Sequence, residues 1–236
     1  GPGHATRVLT AIHAEFPDLT FDAVIKVEHL LKHREMLSFL KECGCQFIIS
    51  AVESVDDDVL ERLAKGHTRD DFFEATHLLR SLNIGFSPTF LAFTPWTTLE
   101  GYRQLLRDLV ALNLIESVPP IQLAIRLLVP AGSHLMNLPG FVNLVGPFDP
   151  KTLGYPWQHH DPRVDALQRS IQAAVEHADT NGDSRFEAFT AIWNLTHEAL
   201  EVTPDDLVLT VGALPPHHTE NWYCCAEPTA EQLAGY

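Results

Sequence analysis

The alternation of helix-like and strand-like segments over the first two-thirds of this chain constrains its fold more than any other feature. Ala5 to Glu15 carries apolar residues at helical spacing (Val8, Leu9, Ile12), and Phe16-Pro17-Asp18 stops it. Phe21 to Val27 alternates and is rich in β-formers, and Leu30 to Cys43 is amphipathic and ends at Gly44. Phe47 to Val52 is a short apolar run. Helical patterns over Asp56 to Ala64 and Arg69 to Leu82 precede a strand from Ile84, closed by Thr94-Pro95-Trp96. Leu99 to Leu112 is helical again, and Ile121 to Leu128 reads as the next strand. Strands that alternate with helices pair in parallel through right-handed crossovers. The expected fold is α/β: a partial parallel (β/α) barrel with strands near Phe21–Val27, Phe47–Val52, Ile84–Phe90 and Ile121–Leu128. A parallel sheet protects its edges, so a chain opening on Gly1-Pro2-Gly3 and a helix is expected to lack upstream strands.

After Pro130 the character changes. Residues 131 to 162 are rich in Gly, Pro and aromatics, then Pro162 to His177 and Arg185 to Leu200 read as two amphipathic helices. The division expected is a partial barrel over 1–137, a loop and helical extension over 138–203, and a tail over 204–236. At 236 residues, 45% apolar and 20% charged, the composition is that of a globular chain with a sizeable core. A formal charge of −15 with 16 scattered Lys and Arg argues against nucleic acid held through its phosphates. No apolar run has the length of a membrane span, and the N-terminus lacks a signal-peptide plan, so the cytoplasm is the expected location. The four cysteines fall in pairs, Cys43/Cys45 and Cys224/Cys225, at spacings that suit neither a disulfide framework nor a CxxC knuckle.

Glu53 and Ser54 lie where a strand hands over to a helix, the position at which (β/α) barrels carry chemistry. A carboxylate there can accept both hydroxyls of a ribose, whereas Ser54 serves equally as a helix cap. Lys26 and Glu28 end the preceding strand, as an ion pair or a substrate contact. Thr97 or Thr98 caps the helix that holds Glu100, while Phe90, Phe93 and Trp96 either line a pocket or fill the core. Arg126 stands in an otherwise apolar strand, where an Arg needs a partner or a ligand. Asp179-Thr180-Asn181-Gly182-Asp183 begins like a calcium loop, but Ser184 and Thr190 occupy the positions that need Gly and Glu, so a turn is expected. His159-His160 and His217-His218 lack zinc-site spacing, and no metal site is assigned within the chain. The adjacent Cys224 and Cys225 suit a redox or thiolate role.

Ala51-Val52-Glu53-Ser54, Lys65-Gly66-His67-Thr68 and Leu128-Val129-Pro130-Ala131-Gly132-Ser133 resemble radical S-adenosylmethionine (radical SAM) barrels, of the kind often joined to a cobalamin-binding domain. The likeness runs from Phe21 to about Asn137. Cys224-Cys225-Ala226-Glu227-Pro228 resembles the tail of the CUAEP/CCAEP radical SAM (seleno)proteins, in whose relatives one cysteine position is selenocysteine. The resemblance implies a [4Fe–4S] cluster and reductive cleavage of S-adenosylmethionine, with a 5′-deoxyadenosyl radical acting on an unknown substrate. It implies that Glu53 and Ser54 hold the ribose, that Arg126 and Pro88 contact cofactor or substrate, and that Cys224 and Cys225 act late in turnover or bind substrate. The CxxxCxxC cluster loop is absent, and Cys43-Gly44-Cys45 cannot replace it. The cluster ligands are thus expected upstream, and this chain is expected to be a fragment inactive alone. Two alternatives stand beside it: a cluster-independent barrel enzyme using Glu28, Glu53 and Arg126 in acid–base work, and a non-catalytic binding protein with a thiol tail.

Overall fold

The computed structural model describes residues 2–204, 206, 207 and 216. Three expected strands form: β1 (Phe21–Val24), β2 (Cys45–Glu53) and β3 (Gly85–Phe90), in that order and all parallel. Helix α1 (Pro2–Glu15) precedes them; α2 (Val27–Lys32) and α3 (Glu35–Glu42) join β1 to β2, and α4 (Asp57–Arg62) and α5 (Arg69–Ser81) join β2 to β3. α6 (Leu99–Ala111) follows β3, and a hairpin of α7 (Pro162–Asn181) and α8 (Arg185–Ala199) comes last.

The caps explain where these helices start. Asp56 accepts from the Asp58 and Val59 N–H groups at α4, Thr68 and Asp71 form a capping box at α5, and Thr98 caps α6 through the Gly101 N–H. Ser184 and Glu187 repeat the box at α8, and Gly182 closes α7 with φ +72°, so the Asp179–Asp183 stretch is a helix end and a turn. The single helix expected over Leu30 to Cys43 is two. It breaks at His33-Arg34, where the Arg34 guanidinium covers the Leu31 carbonyl that the break leaves without a helical partner. Gly44 then turns into β2 with φ +105°, and a Cβ there would lie 2.3 Å from the Leu19 carbonyl oxygen. Only glycine fits. β1 also ends early: Lys26 becomes the N-cap of α2 and Glu28 part of its first turn, so the two do not share a strand face.

The fourth expected strand, Ile121–Leu128, does not form, and the sheet is open where a closed barrel requires continuous pairing. Pro119 and Pro120 bring fixed φ angles, and a 3-10 turn runs over Pro120–Leu123. A single parallel bridge remains, Phe93 with Arg126, held by Phe93 N–H to the Ile125 carbonyl (3.0 Å) and Leu127 N–H to the Phe93 carbonyl (2.9 Å). β3 contributes to the failure. Its Phe90 N–H points away from β2 and donates to the Gln122 side-chain oxygen at 3.1 Å. Pro88, two residues earlier on that same edge, has no N–H to offer.

One face of the sheet carries Ile48, Val52, Phe86 and Phe90, buried against Phe72 and Leu79 of α5 and Leu106 and Leu109 of α6. Each such side chain contributes about 1.5–3 kcal/mol on burial. Phe90 meets Phe72 edge-on, and Phe93 stacks on Tyr102 at 4.8 Å, so both are core residues. Ile171, Ile192 and Trp193 of the α7–α8 hairpin join the same core, while Leu91, Ile125, Leu127, Phe141 and Trp157 form a second cluster. Among the described residues no helix is long and apolar enough to cross a membrane. The tie between α5 and α6 is polar: the buried Asp108 carboxylate accepts Arg69 Nε and Nη2, each at 2.6 Å, and Gln104 Nε2 at 2.8 Å. Asp108→Ala strands a guanidinium at this joint, and urea denaturation is expected to show a loss of about 3 kcal/mol.

Candidate functional site at the end of the central strand

β2 terminates in a strained turn centred on Glu53. Its φ is +68°, and the Ser54 N–H donates to the Val52 carbonyl at 2.9 Å. An i→i+2 hydrogen bond around a positive-φ residue marks the rare, strained form of γ-turn. Among the described residues, Ala64, Asn83, Asn113 and Glu201 also have positive φ, but each directly follows a helix C-cap, and Leu153 lies in an exposed loop. Glu53 alone of these ends a strand. A non-glycine residue held this way costs about 1–3 kcal/mol and persists only where its surroundings over-determine it.

The surroundings do so. The Val52 carbonyl accepts a second bond from His67 Nε2 at 3.2 Å, and the Glu53 carbonyl accepts from the Leu91 N–H at 2.9 Å. Ser54 Oγ accepts from the Asp56 N–H at 3.0 Å, fixing the exit into α4. Because the carbonyl only accepts, His67 donates from Nε2. Burial first, then the Lys65 charge, hold its pKa below the ordinary 6.5 and favour this neutral ring. The segment supplying His67 also supplies Lys65, whose Nζ lies 3.2 Å from Glu53 Oε1, with side chains only 17% and 14% exposed. Gly66 between them has φ +72°, and a Cβ there would meet Glu28 Oε2 at 3.0 Å. Burial raises the Glu53 pKa above its ordinary 4.5, and the charge and hydrogen bond of Lys65 oppose that rise.

Glu53 and Ser54 border one cavity together with Asp56, Leu91, Thr97 and Thr98. It encloses about 20 Å³, room for one water. No described residue hydrogen-bonds Glu53 Oε2. The arrangement is a hydrogen-bond acceptor at the C-terminal edge of a parallel sheet, held by its turn and paired through Oε1 with Lys65. The other expected site residues lie elsewhere. Arg126 Nη1 donates to Asp165 Oδ1 (2.6 Å) and Nη2 to the Trp157 carbonyl (2.8 Å), and the guanidinium stacks 3.8 Å from the Trp157 ring, so it ties the bridge strand to α7. Pro88 is buried mid-strand, on the face of β3 that carries Phe86 and Phe90. Cys224 and Cys225 lie outside the described residues, as do nearly all positions of the 204–236 tail.

An iron–sulfur cluster does not fit the described residues. Cys43 and Cys45 flank the start of β2, at the opposite end of the strand from Glu53. Burial pushes the Cys45 thiol up to about 11, away from the thiolate that a metal needs. Among the described residues no group of three or more His, Cys, Asp or Glu is placed to hold a metal ion. Lys65 is the partner that sequence reading did not pair with Glu53. Its position in Lys65-Gly66-His67-Thr68 was the available signal, but a contact across 12 residues has no local periodicity to reveal it.

No protein-family model matches the chain, and no curated protein matches it. Solved structures do. The chain is similar to the cobalamin-dependent S-adenosylmethionine radical enzyme OxsB with aqua-cobalamin bound (TM-score 0.59), with aqua-cobalamin and S-adenosylmethionine bound (0.59), and in its apo form (0.56). Identity is 14% in each case, over 73% of this chain and 31% of the other, so the chain spans under a third of those proteins. At that identity the likeness concerns the fold: this is a radical SAM-like α/β fold with an open three-stranded parallel sheet.

The turn makes a prediction that reverses the usual order of residues in strands. Glu53→Gly and Glu53→Ala both remove the carboxylate, but only alanine keeps the steric cost of positive φ. Denaturation is expected to find the glycine variant more stable than the alanine variant by about 1 kcal/mol.

Proposed function

We propose that this chain forms part of a radical SAM enzyme and supplies the nucleoside end of its S-adenosylmethionine site. The observation that carries the reading is the placement of Glu53. It is a carboxylate at the C-terminal end of the central strand of a radical SAM-like sheet, locked in a strained turn with Oε2 unengaged by any described residue. One carboxylate oxygen can accept from a ribose hydroxyl, and the Ser54 hydroxyl, which accepts from the Asp56 N–H, still has a proton to donate. The adjoining cavity has room for a water and not for a sugar, so a ribose would be held outside it, by Glu53 and Ser54 at the sheet edge. S-adenosylmethionine, if bound there and given one electron by a cluster held elsewhere, would break its S–C5′ bond to methionine and a 5′-deoxyadenosyl radical. The residues described here bind and orient it, and the cluster ligands are left to other parts of the protein. Cys224 and Cys225 remain proposed thiols for a late step or for substrate binding, and the substrate is a molecule of undefined class. The acid–base alternative needs Arg126 beside Glu53, and its engagement with Asp165 and Trp157 counts against it.

Calorimetric titration of S-adenosylmethionine into the 236-residue chain tests the reading. Wild type is expected to bind, and Glu53→Ala to bind about ten- to a hundredfold more weakly, the worth of a charge-assisted hydrogen bond. A 2′,3′-dideoxyribose analogue is expected to show the same loss with wild type and no further loss with the variant. Absence of wild-type binding, or equal affinity for the variant, overturns it.

A further inference from the structure

We propose that Lys65 is the positioning residue of the Glu53 site, holding the carboxylate ionised through Oε1 so that Oε2 is available to accept from a vicinal diol. The inference rests on the nucleoside reading above and adds to it the residue that governs the acceptor. The geometry begins with the contact itself, Nζ to Oε1 at 3.2 Å with both side chains largely out of water. A carboxylate withdrawn from water favours its protonated form unless a cation stands beside it. A protonated carboxyl offers a weaker acceptor and turns one oxygen into a donor.

The backbone commits Lys65 to this place. Its N–H donates to the Leu60 carbonyl at 3.1 Å, closing α4, and two residues later His67 is fixed on the Val52 carbonyl. The ammonium is therefore carried by a loop anchored at both ends to the elements flanking Glu53. The other ionisable groups around it do not replace the cation. Asp56 borders the same cavity from the start of α4, and Glu28 approaches Gly66 from α2, and both are acids. His67 is held neutral by burial, and Tyr102, from α6, is a buried phenol pushed well above its ordinary range. Lys65 is the cation in ion-pair contact with Glu53 among the described residues.

Burial raises the Glu53 pKa, so ionised Glu53 costs the fold stability as pH rises through its midpoint, and loss of Lys65 enlarges that cost. The test is a carbon-detected NMR titration of the Glu53 carboxyl in the full chain, assigned with Glu53→Gln. Lys65→Met is expected to raise the midpoint by about one pH unit, and Lys65→Arg to restore it. Lys65→Gln replaces the Met variant if circular dichroism shows the latter unfolded. An unchanged midpoint in the folded, charge-free variant overturns the proposal whether or not any nucleoside binds. Where wild type binds S-adenosylmethionine, the Met variant is expected to bind about tenfold more weakly below its raised midpoint and to recover above it. A pH-independent defect instead assigns Lys65 a merely structural part and also overturns the proposal. Failure of wild type to bind sinks the nucleoside reading alone, because the carboxyl titration still decides the role of Lys65.

Discussion

The double acceptance at the Val52 carbonyl is the interaction on which the C-terminal end of the central strand depends. One lone pair takes the Ser54 N–H across the turn, the other takes His67 from the loop between α4 and α5. The first bond forces Glu53 into positive φ, and the second prevents the strand end from relaxing back to extended geometry. Strain at one residue is thereby shared with the two helices that follow, whose relative placement fixes Lys65. Without the helix pair the turn would have no reason to persist. Without the turn the helix pair would approach a carboxylate set in another direction.

The open edge of the sheet follows from equally local chemistry. A parallel strand beside β3 needs successive N–H donors, and Pro88 removes one while Gln122 takes another through its side chain. What survives is the Phe93–Arg126 bridge, beyond the prolines, where Arg126 is claimed by Asp165 and Trp157. The side chain that looked chemically loaded in a linear reading thus serves as a rivet between the last bridge and α7. Its partner stands 39 residues further along, past a segment with no periodic pattern.

Much of the architecture was legible because it rests on short-range rules. The cap at Thr98, one of the two threonines expected to hold it, and the parallel βα rhythm are encoded within a few residues, and the structure follows them. The fourth strand was misread because Ile121–Leu128 has the apolar composition of a strand, whereas its pairing was decided by Pro88 on the edge it had to join and by its own Gln122 side chain, which takes the Phe90 N–H. The long helix over Leu30 to Cys43 failed for a similar reason: the periodicity continues through His33 while the chain does not. At the site, Glu53 was visible as a carboxylate closing an apolar run. Its γ-turn was invisible, since nothing in Val52-Glu53-Ser54 favours positive φ. That conformation is imposed from outside, by His67 and Leu91, so residue type and backbone conflict locally at Glu53.

Electrostatics give the conflict a direction. A buried carboxylate at the sheet edge has lost the water that favours its ionisation, and Lys65 is the charge that opposes this. Evolution toward stability alone would place a neutral residue there, or a glycine that accepts the turn at no steric cost. The chain instead keeps a glutamate in a strained backbone, withdraws it from water and sets one ammonium against it. The strained backbone and the withdrawal from water each cost free energy in the folded state, the ammonium offsets part of the second, and none of the three is needed to pack the core, which is complete with Val52, Phe90 and their helical neighbours. The result is one oriented carboxylate whose Oε2 no described residue engages.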